Sequence, residues 1–235
     1  MPLIEIHNLY KVYNPGEENE VRALAGVSTQ IERGEFVAVL GTSGSGKSTM
    51  MNILGCLDTP SHGTYRLGGT PVEQLSDNQL SKIRSLAIGF IFQGYNLIKD
   101  LTALENVELP LVYRNMGRAK RRRIATEALQ RVGLGDRLQH LPSEMSGGQQ
   151  QRVAIARAIS TAPPILMADE PTGNLDSRSS REIMELLRAL NRQGTTIILI
   201  THDRELAGYA ARTIELRDGR IISDQPTVLA KEGAV

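Results

Sequence analysis

Apolar and polar residues partly alternate over Leu3–Leu9 and Val21–Ile31, as in strands with one wet face, and the polar, turn-rich stretch Asn14–Asn19 joins them. Phe36–Leu40, FVAVL, is continuously apolar and β-branched, which suits a strand covered on both sides. The chain is therefore predicted to open with an antiparallel layer and then enter a parallel core. Ser48–Leu57 reads as a helix, Thr64–Leu67 as a short strand, Ser76–Ser85 as a helix and Ile88–Phe92 as an apolar strand-like run. Thr102–Leu109 and Arg118–Val132 follow as helices with no strand between them, so the middle third reads as a helical insertion. After a long helical pattern at Gln149–Ser160, parallel-sheet character returns at Ile165–Ala168 and Thr196–Ile200, with the amphipathic Ser179–Leu190 as the crossover. Arg212–Arg217 and Arg220–Ser223 flank Asp218 and Gly219, the Asp-Gly signal of a hairpin. The small, polar tail Pro226–Val235 is expected to be a loosely held helix or disordered.

At 235 residues the chain suits one α/β domain or a domain with a sizeable subdomain. Its 27 basic and 26 acidic residues nearly cancel, which gives no electrostatic case for a nucleic-acid partner. The dense basic run Arg118–Arg123 lacks interleaved aromatics and is expected to be a solvated helix face, with contact to a partner or to acidic lipid as the alternative. Cys56 is the single cysteine, so no intramolecular disulfide forms; a reducing compartment fits, with Cys56 a buried small hydrophobe in the helix after Leu40. MPLIEIHNLY has no secretory pattern and no uncharged apolar run approaches the ~20 residues of a membrane span, so the chain is expected to be soluble by itself.

The chemistry centres on Gly41, Thr42, Ser43, Gly44, Ser45, Gly46, Lys47 and Ser48, GTSGSGKS, which fits the GxxxxGK[ST] phosphate-binding loop. The loop lies between a predicted strand and a predicted helix, the context that gives the motif meaning. Its glycines let successive N–H groups turn inward, and the helix N-terminus adds partial positive charge. Lys47 would reach the β- and γ-phosphates and Ser48 would bind Mg²⁺.

A hydrophobic strand, ILMADE, ends in Asp169 and Glu170. In phosphate-loop nucleotidases the first such acid holds Mg²⁺, and a carboxylate one residue on, at the carboxyl edge of the sheet, can deprotonate the attacking water. Ser146, Gly147, Gly148 and Gln149 have capping-box spacing before a helix, yet two glycines in a first turn cost up to ~1 kcal/mol each. Bare backbone there suits close approach to a phosphate, so this is read as a second anion site, for another ligand or for the same nucleotide held by a different subunit. His202 follows the strand at Thr195–Thr201 and Gln93 follows IGFIF; both are placed to meet phosphate, water or Mg²⁺. Tyr13 is either a base-stacking aromatic or an ordinary packed tyrosine.

The phosphate loop, the glutamine after the next major strand, SGGQQQR, ILMADEPTGNLD and THD occur in the order of ABC-type ATPases, and the chain resembles that family over nearly its whole length. GCLDTPSHGTYRLGG, FIFQGYNLI and ALENVELPL are most similar to the MacB and LolD group of ATP-binding subunits. The resemblance implies an α/β fold: a P-loop NTPase core with a parallel sheet, an N-terminal antiparallel β layer and a helical subdomain. Residues 1–235 would form one nucleotide-binding domain, with the helical subdomain at about 94–162 inserted in a RecA-like core. By position, Tyr13 matches the adenine-stacking aromatic, Gly41 to Thr49 the Walker A loop, Gln93 the Q-loop residue and Ser146 to Gln149 the signature motif. Asp169 and Glu170 match the Walker B acid and catalytic base, Asn174 to Asp176 the D-loop and His202 the switch histidine. Met145 stands where leucine is usual, and Thr42 where proline is common.

What the resemblance implies for function is ATP hydrolysis with Mg²⁺. Two copies would lie head to tail, each ATP held by one chain's Walker A loop and its twin's signature helix, which accounts for the second anion site. A separate transmembrane permease would hold the subunit, itself cytoplasmic, against the inner face of the cell membrane, with a periplasmic adaptor as a further partner of the group. Tyr95, Leu97, Ile98 and Leu101 give the loop after Gln93 an apolar surface for a coupling element of that permease. Export, lipoprotein release and mechanical transmission all fit, and the alternative is a regulatory, cell-division-type ATPase that transports nothing. DNA maintenance is disfavoured, since the chain has no long coiled-coil insertion.

Overall fold

A computed structural model describes residues 1–227. In chain order the elements are β1 (Ile4–Tyr13), β2 (Val21–Ile31), β3 (Phe36–Leu40), α1 (Lys47–Leu54), β4 (His62–Leu67), β5 (Thr70–Pro71), α2 (Asp77–Ala87), β6 (Ile88–Phe92), α3 (Ala103–Tyr113) and α4 (Arg118–Arg131). They continue with α5 (Gly147–Ile159), β7 (Ile165–Asp169), α6 (Ser177–Arg192), β8 (Thr196–Thr201), α7 (Arg204–Ala207), β9 (Arg212–Arg217) and β10 (Arg220–Pro226). Two compact units divide them: Met1–Arg84 with the stretch from Asn191 onward, and Ser85–Leu190.

The first unit opens with an antiparallel sheet in the order β2-β1-β4-β5. Ile4, Ile6 and Leu9 of β1 are buried, with Leu24, Val27 and Ile31 of β2 and Tyr65 of β4. β1 continues to Tyr13, beyond the expected end at Leu9; register shifts after Ile6, Leu9 and Lys11 change the phase of the side chains and hide the continuation. Asn8, at φ 47, marks the first shift, its N–H donating to Ser28 Oγ at 2.8 Å.

In the same unit β3 is flanked by parallel strands, Phe36 opposite Ile197 and Leu40 opposite Thr201 on β8, Val37 opposite Arg212 and Leu40 opposite Glu215 on β9. Every residue of β3 and β8 is buried, so each large apolar side chain contributes roughly 1.5–3 kcal/mol. Asp218 (φ 48) and Gly219 (φ 71) turn β9 into β10 with two positive φ angles, as the Asp-Gly pair predicts. β10 runs on to Pro226, past the expected Ser223; of the tail expectation, residues 228–235 lie outside the described residues. Arg212 fastens this hairpin to β2, bonding Asp224 at 2.6 and 2.7 Å, the Gln30 carbonyl at 2.8 Å and Glu35 at 3.1 Å.

α1 begins at Lys47 and stops at Leu54, shorter than the helix expected from composition. Gly55 caps it, and Cys56 follows at φ 54 rather than within the helix. Cys56 is buried as expected, and burial pushes its thiol up to about 11.

In the second unit β6 and β7 pair in parallel, Ile88 opposite Ile165 and Phe92 opposite Asp169. Between them the described residues form helices only. Thr102 and Glu105 build a capping box at the start of α3, which continues through Pro110 to Tyr113 instead of ending at Leu109. One lost backbone hydrogen bond is outweighed there by burial of Val107 and Leu111. On α4, Arg118, Lys120 and Arg122 are exposed while Arg121 and Arg123 pair with Glu108 and Glu127, the solvated face anticipated. No helix among the described residues is long and apolar enough to cross a membrane.

Candidate nucleotide site

In the first unit the loop from Gly41 to Gly46 leaves β3 and enters α1. Two of its glycines are fixed by crowding: a Cβ on Gly41 would stand 2.5 Å from the Leu216 carbonyl and from Ser45 Oγ, and one on Gly46 (φ 102) 2.5 Å from the Ala23 carbonyl. Gly44 differs. It has φ 78 and faces open space, so backbone conformation alone selects glycine and room for a ligand remains. The hairpin turn braces the loop, since Gly219 N–H donates to the Ser45 carbonyl at 3.0 Å and its carbonyl accepts from Ala25 at 2.8 Å.

Lys47 folds its ammonium back over this loop onto the carbonyls of Gly41 (2.7 Å) and Thr42 (2.8 Å). No side chain caps Gly46 and no acid lies in the first turn of α1. The helix therefore presents uncapped N–H groups beside a cation, an arrangement that fits a phosphate. Ser45 is buried with no hydrogen-bond partner for its hydroxyl among the described residues. Ser43 and Ser48 are exposed and Thr49 half-buried.

His202 follows β8 and is exposed; the next residue, Asp203, caps α7 through the N–H groups of Glu205 and Leu206. Tyr13, at the end of β1, is half-buried and donates its hydroxyl to Asp58 at 3.0 Å. Burial holds the phenol above its ordinary value; Asp58 adds to the rise and the Thr49 side chain opposes it.

The second unit holds the remaining candidates. Gln93 follows β6 and Asn174 clasps it, Nδ2 donating to the Gln93 carbonyl at 3.1 Å and Oδ1 accepting from Gln93 Nε2 at 3.4 Å. Gly173 makes room for this contact, as a Cβ there would lie 2.5 Å from Gln93 Nε2. Asp169 closes β7, and Glu170 takes φ 44, a left-handed conformation that costs a non-glycine residue of order 1–3 kcal/mol. Glu170 carries this strain at the carboxyl end of a strand, the edge of an α/β sheet where ligands bind.

Ser146 caps α5 with a complete capping box: its Oγ accepts from Gln149 N–H at 3.3 Å and its N–H donates to Gln149 Oε1 at 3.0 Å. The two glycines have partners inside the chain. A Cβ on Gly147 would sit 2.8 Å from the Tyr95 hydroxyl and 3.3 Å from Leu175, and one on Gly148 3.3 Å from Ser179 Oγ. The bareness of the turn thus has an intramolecular cause beside the phosphate contact inferred from sequence. Asp176 caps α6, accepting from the N–H of Arg178 (3.0 Å), the N–H of Ser179 (2.9 Å) and Ser179 Oγ (2.7 Å), and these donors, Ser179 first, hold its carboxyl below the usual range.

Three supporting residues escape a sequence reading. Gln151, fully buried, donates Nε2 to the Pro171 carbonyl at 2.6 Å and to the Phe92 carbonyl at 3.4 Å, joining the residues next to Glu170 and Gln93. Arg157 bonds the carbonyls of Tyr95 (2.7 Å) and Asn96 (2.5 Å), both at positive φ. Buried Asn106 binds Ile98 through its N–H and carbonyl, together with the Leu101 and Thr102 carbonyls. Of the apolar loop residues Tyr95, Leu97, Ile98 and Leu101, Ile98 alone is exposed, at 47%, and the other three are half-buried, the Tyr95 hydroxyl lying toward Gly147. Among the described residues no cluster of three or more His, Cys, Asp or Glu could hold a metal unaided.

A protein-family model described as ABC transporter matches residues 24–173. The macrolide export ATP-binding/permease protein MacB of Nitrosomonas europaea is 51% identical over 226 residues, which cover 96% of this chain and 34% of that protein. The protein of the same name from Azoarcus sp. (strain BH72) is 54% identical over 223 residues, 95% of this chain and 34% of its own. The chain thus spans about a third of the length of these curated relatives. The dimeric, post-hydrolysis structure of the ATP-binding cassette MJ0796 bound to ADP and Pi matches with a TM-score of 0.86 and 45% identity, over 95% of this chain and 98% of that one.

Proposed function

Because this chain belongs to the ABC transporter family, we propose that two copies close head to tail around ATP and that hydrolysis reopens them to drive a membrane permease. The chain is an ABC-type ATPase. The observation that carries the proposal is the phosphate loop, with Gly44 facing open space and Lys47 folded over the Gly41 and Thr42 carbonyls. Glu170 activates the attacking water, while Lys47 and His202 stabilise the charge that develops on the transferred phosphoryl group. Ser48, Gln93 and Asp169 would hold Mg²⁺, which would supply positive charge against the phosphates of the bound nucleotide. Tyr13 stacks on the base, and Ser146 to Gln149 with Asp176 meet the nucleotide of the twin.

The segment from about 94 to 162 serves as the helical subdomain that reports nucleotide state to the permease. The MacB relatives are named ATP-binding/permease proteins, which supports a permease partner on the same or a separate polypeptide. Such a partner places this chain on the cytoplasmic face of the membrane, and a periplasmic adaptor would complete an export assembly. The Glu170→Gln variant should bind ATP, dimerise and hardly turn over; hydrolysis near the parent rate would sink the assignment of the base. Recovery of the chain from detergent extracts with a tagged permease tests the coupling.

A further inference from the structure

Tyr13 does not stand alone at the end of β1. Lys11 Nζ lies 5.0 Å from the centre of the Tyr13 ring, over one face of it. The same ammonium donates to Asp58 Oδ1 at 2.6 Å and to the Thr59 carbonyl at 2.9 Å. Asp58 Oδ2 accepts the Tyr13 hydroxyl at 3.0 Å, and Asp58 Oδ1 also takes the Thr59 N–H at 2.7 Å. The Lys11 and Asp58 side chains are only 13% and 27% exposed, so this ion pair is held rather than loosely solvated.

We propose that Lys11 and Asp58 are positioning residues that turn the Tyr13 ring into a one-sided platform for the nucleobase of the bound triphosphate. The cation covers one face, which leaves the other for a flat base. A ring tied at its hydroxyl has lost its rotational freedom before the nucleotide arrives, so less entropy is lost on stacking. The inference rests on the proposed base-stacking role of Tyr13.

The test is calorimetric binding of ATP and of inorganic tripolyphosphate, the latter having the phosphates without the base. Tyr13→Phe, Asp58→Ala and Lys11→Met should each weaken ATP binding roughly threefold to tenfold, the worth of one hydrogen bond or one cation–ring contact. Tripolyphosphate binding should stay within about twofold of the parent in all three, because the phosphate loop is untouched. A parallel loss of tripolyphosphate affinity would show a general disturbance of the loop and overturn the inference. Tyr13→Ala separates the two ideas. If it weakens ATP at least roughly tenfold, as loss of a stacking partner should, while Tyr13→Phe and Asp58→Ala change nothing, the ring works untethered and only the platform idea fails. If Tyr13→Ala leaves ATP binding unchanged, the base-stacking role falls as well.

Discussion

The phosphate loop and the turn at Ser146–Gly148 are both glycine-rich helix starts, yet they solve opposite local problems. At the first, α1 has no side-chain cap and Gly44 has open space beside it. At the second, Ser146 and Gln149 cap the helix completely, and both glycines are approached by side chains of the same chain, Tyr95 and Ser179. An uncapped turn with a lysine beside it is ready for a phosphate. A capped turn is stable by itself, and a phosphate meeting it must take the Ser146 hydroxyl and glycine N–H groups from outside. In the proposed dimer the first turn holds the nucleotide and the second completes the site from the partner copy.

The largest expected effect is on chemistry. Glu170→Gln should lower steady-state ATP hydrolysis by about 10²–10⁴-fold, the usual worth of a general base, with ATP affinity retained in calorimetry. Next come the glycines, where the comparison is sharpest. Gly46→Ala places a Cβ 2.5 Å from the Ala23 backbone oxygen at φ 102, and no side chain can move aside. It should reduce ATP binding by at least about tenfold, the loss of one charge-assisted contact. Gly147→Ala meets the end of a tyrosine instead, at 2.8 Å. Its hydrolysis defect should be partly rescued by Tyr95→Phe in the same chain, whereas no second change should rescue Gly46→Ala.

Ser146→Ala removes a cap and should cost about 1 kcal/mol, a fall in Tm of roughly 2–4 °C for a chain of this size. If capping were its whole role, hydrolysis measured well below Tm would be unchanged; the proposal expects a loss of ATP-dependent dimer as well. The smallest effect concerns Asp176, whose carboxyl is lowered chiefly by Ser179. A lowered carboxylate adds stability above its ordinary value near 4 and loses that contribution as pH falls through its own, lower value. Asp176→Asn should therefore melt below the parent at pH 7, and the gap should close on acidification below about pH 4, as thermal melts would report.

The phosphate loop was legible because its chemistry is local: strand, glycines, lysine and hydroxyl lie within a dozen positions. The buried strands β3 and β8 were legible for a similar reason, since continuous burial leaves a continuous apolar run. Gln151 was not. Among the glutamines of SGGQQQR it looks like a solvated helix residue, and its partners are the carbonyls of Phe92 and Pro171, 59 and 20 positions away. Arg157 and Asn106 were hidden likewise, because a carbonyl acceptor has no residue type to recognise. The end of β1 was misjudged because register shifts after Leu9 and again after Lys11 break the alternation that defines a strand in sequence. SGGQ exposed two causes with one signature: the glycines make room for Tyr95 and Ser179, and the phosphate contact rests on the proposed dimer.

The most direct test is a structure of the Glu170→Gln variant loaded with ATP and Mg²⁺. The account predicts a dimer in which Ser146 of each copy lies within hydrogen-bond distance of the triphosphate held by the other copy's Lys47 loop. A closed, ATP-loaded assembly with Ser146 far from every nucleotide would contradict it.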